Sequence, residues 1–296
     1  LPCYEADFYK NQAAVKAPLL AALKMAGEAG ATAVSLTGVI PSATDHAREI
    51  VKWMEGGKDL PEITTGDATR SATIVKSVEG ILAAAGRKLE NETVSVVGLG
   101  SIGFGTLRLM LDVLEHPKHL ILCDPYQTDD QMSRLRDRVR DAGYFGQIDI
   151  VKNGGALPPE VYEASLVVAS SNLPIPALKP GTLVVDYSFP PVFKLDEAVK
   201  RFVTQGDILF TTGGELSLPG VVGETIYLPE DLEGLDEGVQ TAFLTFLGSR
   251  DRHEITGCVL ASLVTGKAEG VVATVGPLEN GDARAHYDYL TEFGAV

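Results

Sequence analysis

Two short stretches of the chain carry residue types able to do chemistry. The first is Val94-Ser95-Val96-Val97-Gly98-Leu99-Gly100-Ser101-Ile102-Gly103, an apolar run closed by G-x-G-x-x-G. Helical spacing follows at once, at Thr106, Leu107, Leu109, Met110, Val113 and Leu114. Strand, glycines and helix in that order are what a dinucleotide pyrophosphate requires. Gly98 permits the tight turn, Gly100 lets the backbone approach the phosphates, and Gly103 lets helix and strand pack closely. Ser101 and Ile102 lie in the loop before the helix, whose free N–H groups and dipole face the anion. A second strand, His119 to Cys123, ends in Asp124. An acid there is placed to hydrogen-bond the ribose hydroxyls of adenosine and to repel a 2′-phosphate. The competing reading is a glycine-rich turn in an α/β domain that holds no cofactor.

The second stretch is Ile255-Thr256-Gly257-Cys258-Val259-Leu260-Ala261-Ser262. A thiolate is a strong nucleophile, and a helix N-terminus favours the anion. Beside a nicotinamide, a cysteine suits one reaction in particular: the thiol takes an acyl group as a thioester, and hydride reduces it to an aldehyde. Against this stands the common fate of a free cysteine, which is to pack as a small hydrophobe. Cys3, at the terminus, and Cys123, inside a strand, read as structural. Of the histidines, His46 could reach a cleft as a base, following Pro41-Ser42-Ala43-Thr44-Asp45. His116 and His119 flank a surface turn, and His253 shares a helix with Cys258 but sits on a different face. His286 is the fifth. No Ser-His-Asp order, carboxylate pair or zinc spacing stands out, so no metal is expected.

These residues need elements to hold them. Asn11 to Gly27 reads as a helix with Val15, Leu19, Leu20 and Leu23 on its apolar stripe. A strand over Ala33–Thr37 closes at Gly38, and Ser42 is placed to cap a helix running to Met54. Asp67 looks like the N-cap of a long helix to Ala85. Strands then alternate with helices: strands at 94–97, 120–123, 148–151, 166–169, 182–185 and 208–211, and helices at 103–116, 129–142, 158–163 and 194–204. Near-continuous apolar strands alternating with helices predict a parallel sheet covered on both faces, with ligands bound beyond the carboxyl ends of its strands. Those ends read Gly98, Asp124, Ser170-Ser171-Asn172, Asp186-Tyr187-Ser188 and Thr212-Gly213-Gly214. Ser170 is thereby a cofactor candidate. Glu224 to Gly238 reads as a surface loop, Gln240 to Leu247 and Arg252 to Lys267 as helices, and Pro277 to Val296 as a polar surface tail.

Composition limits the partners. The chain has 296 residues, 45% of them hydrophobic and 22% charged, enough for one large or two ordinary domains with a real core. A net charge of −15 argues against nucleic acid. The basic strip Arg134, Arg136, Arg138, Arg140 reads as a solvated helix face, or else as a docking patch for an anionic carrier. No run is long and apolar enough to span a bilayer. Three sparse cysteines suit a reducing, cytoplasmic compartment. The start, Leu1-Pro2-Cys3, has neither Met nor a leader pattern, which reads as an excised domain or a processed chain.

In the order and spacing of its motifs the chain resembles the cyanobacterial long-chain acyl-(acyl-carrier-protein) reductases, which form aldehydes. Thr64-Thr65-Gly66-Asp67 before the long helix, the glycine loop, Asp186-Tyr187-Ser188-Phe189-Pro190, Gly213-Gly214, Leu36-Thr37-Gly38 and Glu269-Gly270 carry the resemblance. Cys258 falls where that family carries its catalytic cysteine. The resemblance implies acyl transfer to cysteine, hydride transfer, then aldehyde release. The departures point to a distant homologue. The glycine loop is one residue shorter, Cys258 to Gly270 is one longer, and Ala261-Ser262 stand near where the family has a glutamate. The family uses NADPH and tends to carry a basic residue where Asp124 stands, so NADH is the expected cofactor here and NADPH the alternative.

The expected architecture is α/β: a Rossmann-type doubly wound parallel sheet over residues 89–250, with a smaller α/β substrate and catalytic domain over 1–88 and a C-terminal segment, 251–296, returning to it. Cys258 is the expected nucleophile, and backbone N–H groups at Thr37-Gly38 or Thr64-Thr65-Gly66 could steady an oxyanion. A small-molecule or carrier-bound acyl thioester is the expected substrate, with a carrier protein or a second copy of the chain as further partners. Two rivals remain: a dehydrogenase passing hydride directly to or from a small hydroxy, amino or keto acid, and a dinucleotide-binding module without turnover.

Overall fold

A computed structural model describes residues 5–124, 128–152, 157–169, 178–188, 195–223, 236, 238, 241, 251–278 and 281–296. The strands β3 (Thr93–Val97), β4 (His119–Cys123), β5 (Gln147–Val151), β6 (Leu166–Ala169), β7 (Thr182–Asp186) and β8 (Ile208–Thr212) form one sheet. Its order is β5-β4-β3-β6-β7-β8, and every pair is parallel. The central strands are apolar on both faces because both are covered. Val94, Val96, Leu120 and Leu122 face one core, and Val97, Ile121, Cys123 and Val167 the other. The order reverses between β3 and β6, and the glycine loop leaves β3 at that switch point.

A second, smaller α/β unit precedes the sheet. The helix α2 (Gln12–Glu28), the parallel strands β1 (Ala33–Ser35) and β2 (Glu62–Thr64), and the short helices α3 (Ile40–Ala43) and α4 (Arg48–Met54) enclose a core of Leu19, Leu23, Leu36, Ile50 and Ile63. The long helix α5 (Asp67–Ala84) joins the two units and is buried over most of its length. It packs on α6 (Ser101–Val113), α9 (Gly257–Lys267) and α10 (Asp282–Phe293), and α9 also packs on β1. Ser262 N–H donates to Ser35 Oγ at 2.8 Å, which ties α9 to β1.

Four expectations need correction. The single helix expected from Ser42 to Met54 is two, broken where Asp45, His46 and Ala47 take φ of 48°, 50° and 67°. Ser42 caps nothing there; its hydroxyl donates to the Val39 carbonyl. Asp67 is the first residue of α5, not its cap, because Gly66 at φ 76° makes the turn and frees the Asp67 side chain. The helix expected from Arg252 starts only at Gly257. It follows β10 (Glu254–Thr256), which pairs antiparallel with β9 (Glu215–Ser217). His253 therefore shares no helix with Cys258, and its Nδ1 lies 3.1 Å from the Leu218 carbonyl. The C-terminal tail is not a surface tail. α10 buries Ala283, His286, Tyr287 and Leu290, an i, i+3, i+4, i+7 stripe hidden in a polar composition. Cys3, Ser170, Ser171, Asn172, Phe189 and Pro190 lie outside the described residues, as do almost all of the expected loop at 224–238 and helix at 240–247.

Candidate functional site

The glycine loop forms one wall of the site. Gly98 turns at φ 88°, the left-handed region that favours glycine. Its N–H donates to the Cys123 carbonyl at 2.8 Å. The Leu99 N–H donates to Asp124 Oδ2 at 2.5 Å, so the buried acid at the end of β4 is locked to the loop. A Cβ added at Gly100 would meet nothing within 4 Å, so open space lies over the loop. Close approach is found at Gly105 in the same helix, where a Cβ would fall 2.3 Å from Leu278 Cδ2 and 3.0 Å from Ser71 Oγ. A left-handed glycine, an unobstructed second glycine, a 13-residue helix and a buried acid at the next strand end are what a dinucleotide requires.

The loop opens onto a cavity of ≈ 280 Å³ between the two units. Gly100, Ser101, Ile102 and Gly103 line it from one side, and Thr37, Gly38, Thr65 and Cys258 from the others. Gly98 and Asp124 stand behind the loop, outside the lining. Cys258 is the second residue of α9 and half-buried, with Thr256 Oγ1 3.4 Å from its sulfur. The first-turn N–H groups of Cys258 and Val259 have no acceptor within the helix. α9 is seated by contact at Gly257, where a Cβ would lie 2.3 Å from Thr73 Oγ1 and 3.1 Å from Arg70 Cα. Cys123 has a different setting: it is fully buried in β4, and burial pushes its thiol up to about 11.

The oxyanion expectation divides. The Thr65 N–H is committed to the Thr274 carbonyl at 2.8 Å and the Gly66 N–H to Thr64 Oγ1 at 3.3 Å, so that segment has no free donor at either position. The exposed Thr37-Gly38 turn, with Gly38 at φ 63°, keeps that role open.

The cavity also gathers Asp67 and Arg70, which pattern reasoning passed over, beside His46, which it had placed within reach of a cleft. Asp67, 5% exposed, accepts a hydrogen bond on Oδ2 from Ser101 Oγ at 2.7 Å. His46 Nδ1 lies 3.6 Å from the same oxygen, an ion-pair separation rather than a formed hydrogen bond. Asp67 raises the His46 pKa above its ordinary 6.5 against the opposing effect of burial. Arg70 lies over the Tyr187 ring at 5.1 Å and donates from Nη2 to the Tyr187 carbonyl at 2.9 Å. Its Nε is buried with no hydrogen-bond partner among the described residues. Nothing local could have separated Asp67 from an ordinary helix-opening acid, since its partners come from 34 residues downstream and from the broken helix.

Elsewhere the basic strip is tied down. Arg134 pairs with Asp130 at 2.9 Å, Arg136 and Arg140 donate to the Ile148 and Tyr144 carbonyls, and Arg138 stacks 3.6 Å over Phe104. A larger hollow of ≈ 590 Å³ beside Arg108, Asp112 and Arg284 includes none of the expected site residues. Among the described residues no three His, Cys, Asp or Glu converge as metal ligands, and no helix is long and apolar enough to cross a membrane.

No family model and no curated protein matches the chain. Similar solved structures include dipicolinate synthase A chain from Bacillus subtilis, at TM-score 0.37 and 14% identity over 61% of this chain and 56% of that one. L-tryptophan dehydrogenase from Nostoc punctiforme gives TM-score 0.38 and 14% identity over 81% and 63%. Shikimate 5-dehydrogenase from Listeria monocytogenes, in complex with shikimate and NAD, gives 0.33 and 13% over 52% and 54%. The chain thus spans little more than half the length of the dipicolinate synthase and the shikimate dehydrogenase. Likenesses of this size carry no argument about activity.

Proposed function

We propose that the protein is a nicotinamide-dinucleotide-dependent oxidoreductase acting on a carbonyl carbon in the cleft between its two units. The observation that carries this reading is that the glycine loop and Cys258 line one cavity. Gly98, Gly100, Ser101, Ile102 and Gly103 would hold the pyrophosphate, and Asp124 the ribose, which supports NADH over NADPH. Residues 89–250 then serve as the cofactor domain, and 1–88 with 251–296 as the substrate side. A bound reduced nicotinamide supplies a hydride to the carbonyl carbon.

The finer reading is reduction of an acyl thioester to an aldehyde. Cys258 Sγ attacks the thioester carbonyl, the bond to the donor sulfur breaks, the donor leaves as a thiol, and the acyl group stays on Cys258. After reduction the carbon–sulfur bond to Cys258 breaks and the aldehyde leaves. The half-exposed sulfur, the amide groups of the first turn of α9 and the Thr37-Gly38 turn support this reading. So does the resemblance to the acyl-carrier-protein reductases. Arg70 favours a second reading. A guanidinium lining the cavity suits the carboxylate of a small oxo or amino acid that takes hydride directly.

Intact mass after incubation with a panel of acyl thioesters, for wild type and Cys258→Ser, separates the two. The thioester reading expects an acyl adduct on wild type alone, discharged by NADH. No adduct, with NADH-dependent reduction of an oxo acid by both proteins, would replace it with direct hydride transfer. NADH binding with neither reaction would leave a binding module.

A further inference from the structure

Carbonyl reduction needs a proton as well as a hydride, and the wall facing the glycine loop holds a group built for it. Asp45, His46 and Ala47 are three consecutive non-glycine residues in the left-handed region. Such a run persists only where surrounding structure holds it, and observed strain of this kind points toward function. Here the Gly276 N–H donates to the His46 carbonyl at 2.7 Å, and the Glu49 N–H reaches back to the Thr44 carbonyl at 3.2 Å. The result turns His46 Nδ1 into a buried position with no hydrogen-bond partner among the described residues, 3.6 Å from Asp67 Oδ2, and leaves Nε2 as the nitrogen available to the cavity.

We infer that His46 is the acid–base residue of this site, and that Asp67 and Ser101 are positioning residues that link its charge to the glycine loop. The inference rests on the oxidoreductase reading above for its substrate, and on the geometry alone for the linkage. Ser101 Oγ donates to the same Asp67 oxygen that faces His46, so one carboxylate joins the dinucleotide loop to the imidazole. The charged and titratable groups around His46 are Asp67 from α5, Asp45 and Arg48 from its own segment, and Arg70 and Cys258 across the cavity. Asp67 and Asp45 favour the imidazolium, and Arg48 and burial oppose it.

In the reducing direction the His46 imidazolium gives its Nε2 proton to the carbonyl oxygen as hydride reaches carbon. For an acyl group on Cys258, the carbon–sulfur bond then breaks and the hydroxyl proton returns to His46, which passes it to the departing sulfur. A solvent proton recharges His46. Each such turnover would consume one hydride from a bound reduced nicotinamide and one proton, releasing the aldehyde and restoring the Cys258 thiol. For an oxo acid the same proton ends on the product hydroxyl.

The test is NMR titration of the histidines in the full chain, with His46→Asn identifying the His46 signal. Asn tolerates the left-handed region, so this variant keeps the local backbone. His46 is expected to titrate above 6.5 in wild type. Asp67→Asn should shift it down, and Asp67→Glu should restore part of the shift. His46→Asn should keep NADH binding by fluorescence and lose about 10²–10⁴-fold in turnover. An unchanged His46 titration in Asp67→Asn overturns the positioning role, and wild-type turnover in His46→Asn overturns the acid–base role. If wild type turns over no carbonyl substrate, the functional reading fails, while the titration still decides the linkage.

Discussion

The two walls of the cavity are made in opposite ways. The glycine loop reaches its left-handed turn with a glycine, Gly98 at φ 88°, where no side chain resists it. The facing wall reaches the same region with Asp45, His46 and Ala47, which costs roughly 1–2 kcal/mol for each such residue. One wall follows a local rule of strand, turn and helix. The other is held by distant clamps, above all Gly276 on the His46 carbonyl. A dinucleotide needs backbone brought close, which glycine supplies cheaply. A proton donor needs a side chain aimed into the cavity, which glycine cannot provide.

Three changes would break or sharpen this contrast. The largest expected effect lies at the joint shared by both walls, where α10 packs on α5. His286 is 1% exposed, its Nδ1 lies 2.8 Å from Thr69 Oγ1, and burial lowers its pKa to about 4. The unfolded chain binds a proton near the ordinary value of 6.5, so between the two values it binds more than the folded one. Stability should therefore fall as pH drops from 6.5 toward 4, by on the order of 3 kcal/mol at the low end. Urea melts across that range should show the slope in wild type and a shallower one in His286→Gln.

The next is Gly98→Ala. A Cβ at φ 88° should cost about 1–2 kcal/mol in denaturant melts and weaken NADH binding, with Cys258 acylation kept. The smallest is the converse change, Ala47→Gly. Relief of the φ 67° strain should exceed the added freedom of the unfolded chain and raise stability by about 0.5–1 kcal/mol, while turnover falls because His46 is less firmly held. Stability changes of opposite sign at the two walls would support the contrast, and a destabilised Ala47→Gly would remove it.

The same contrast governs how much was legible in the sequence. The six sheet strands lie within a residue of where apolar runs put them, since a strand buried on both faces has no other pattern to follow. The glycine loop and Asp124 were legible for the same local reason. Cys258 was legible as a candidate, but not its place in the first turn of α9, because β10 is only three residues long and its partner lies in β9. Asp67, Arg70 and the strained turn at His46 were not legible. Each owes its role to a contact across the cleft, and no spacing along the chain records it. α10 was missed because polar residues outnumber its narrow buried stripe.

The proposed chemistry depends on the cofactor loop and Cys258 sharing a single cavity. Peptide-mapped alkylation of Cys258 by iodoacetamide, with and without saturating NADH, tests it without knowledge of the substrate. The buried Cys123 serves as the silent internal control. Bound NADH is expected to slow labelling at Cys258. Identical labelling rates, with NADH binding verified by fluorescence in the same samples, would contradict it.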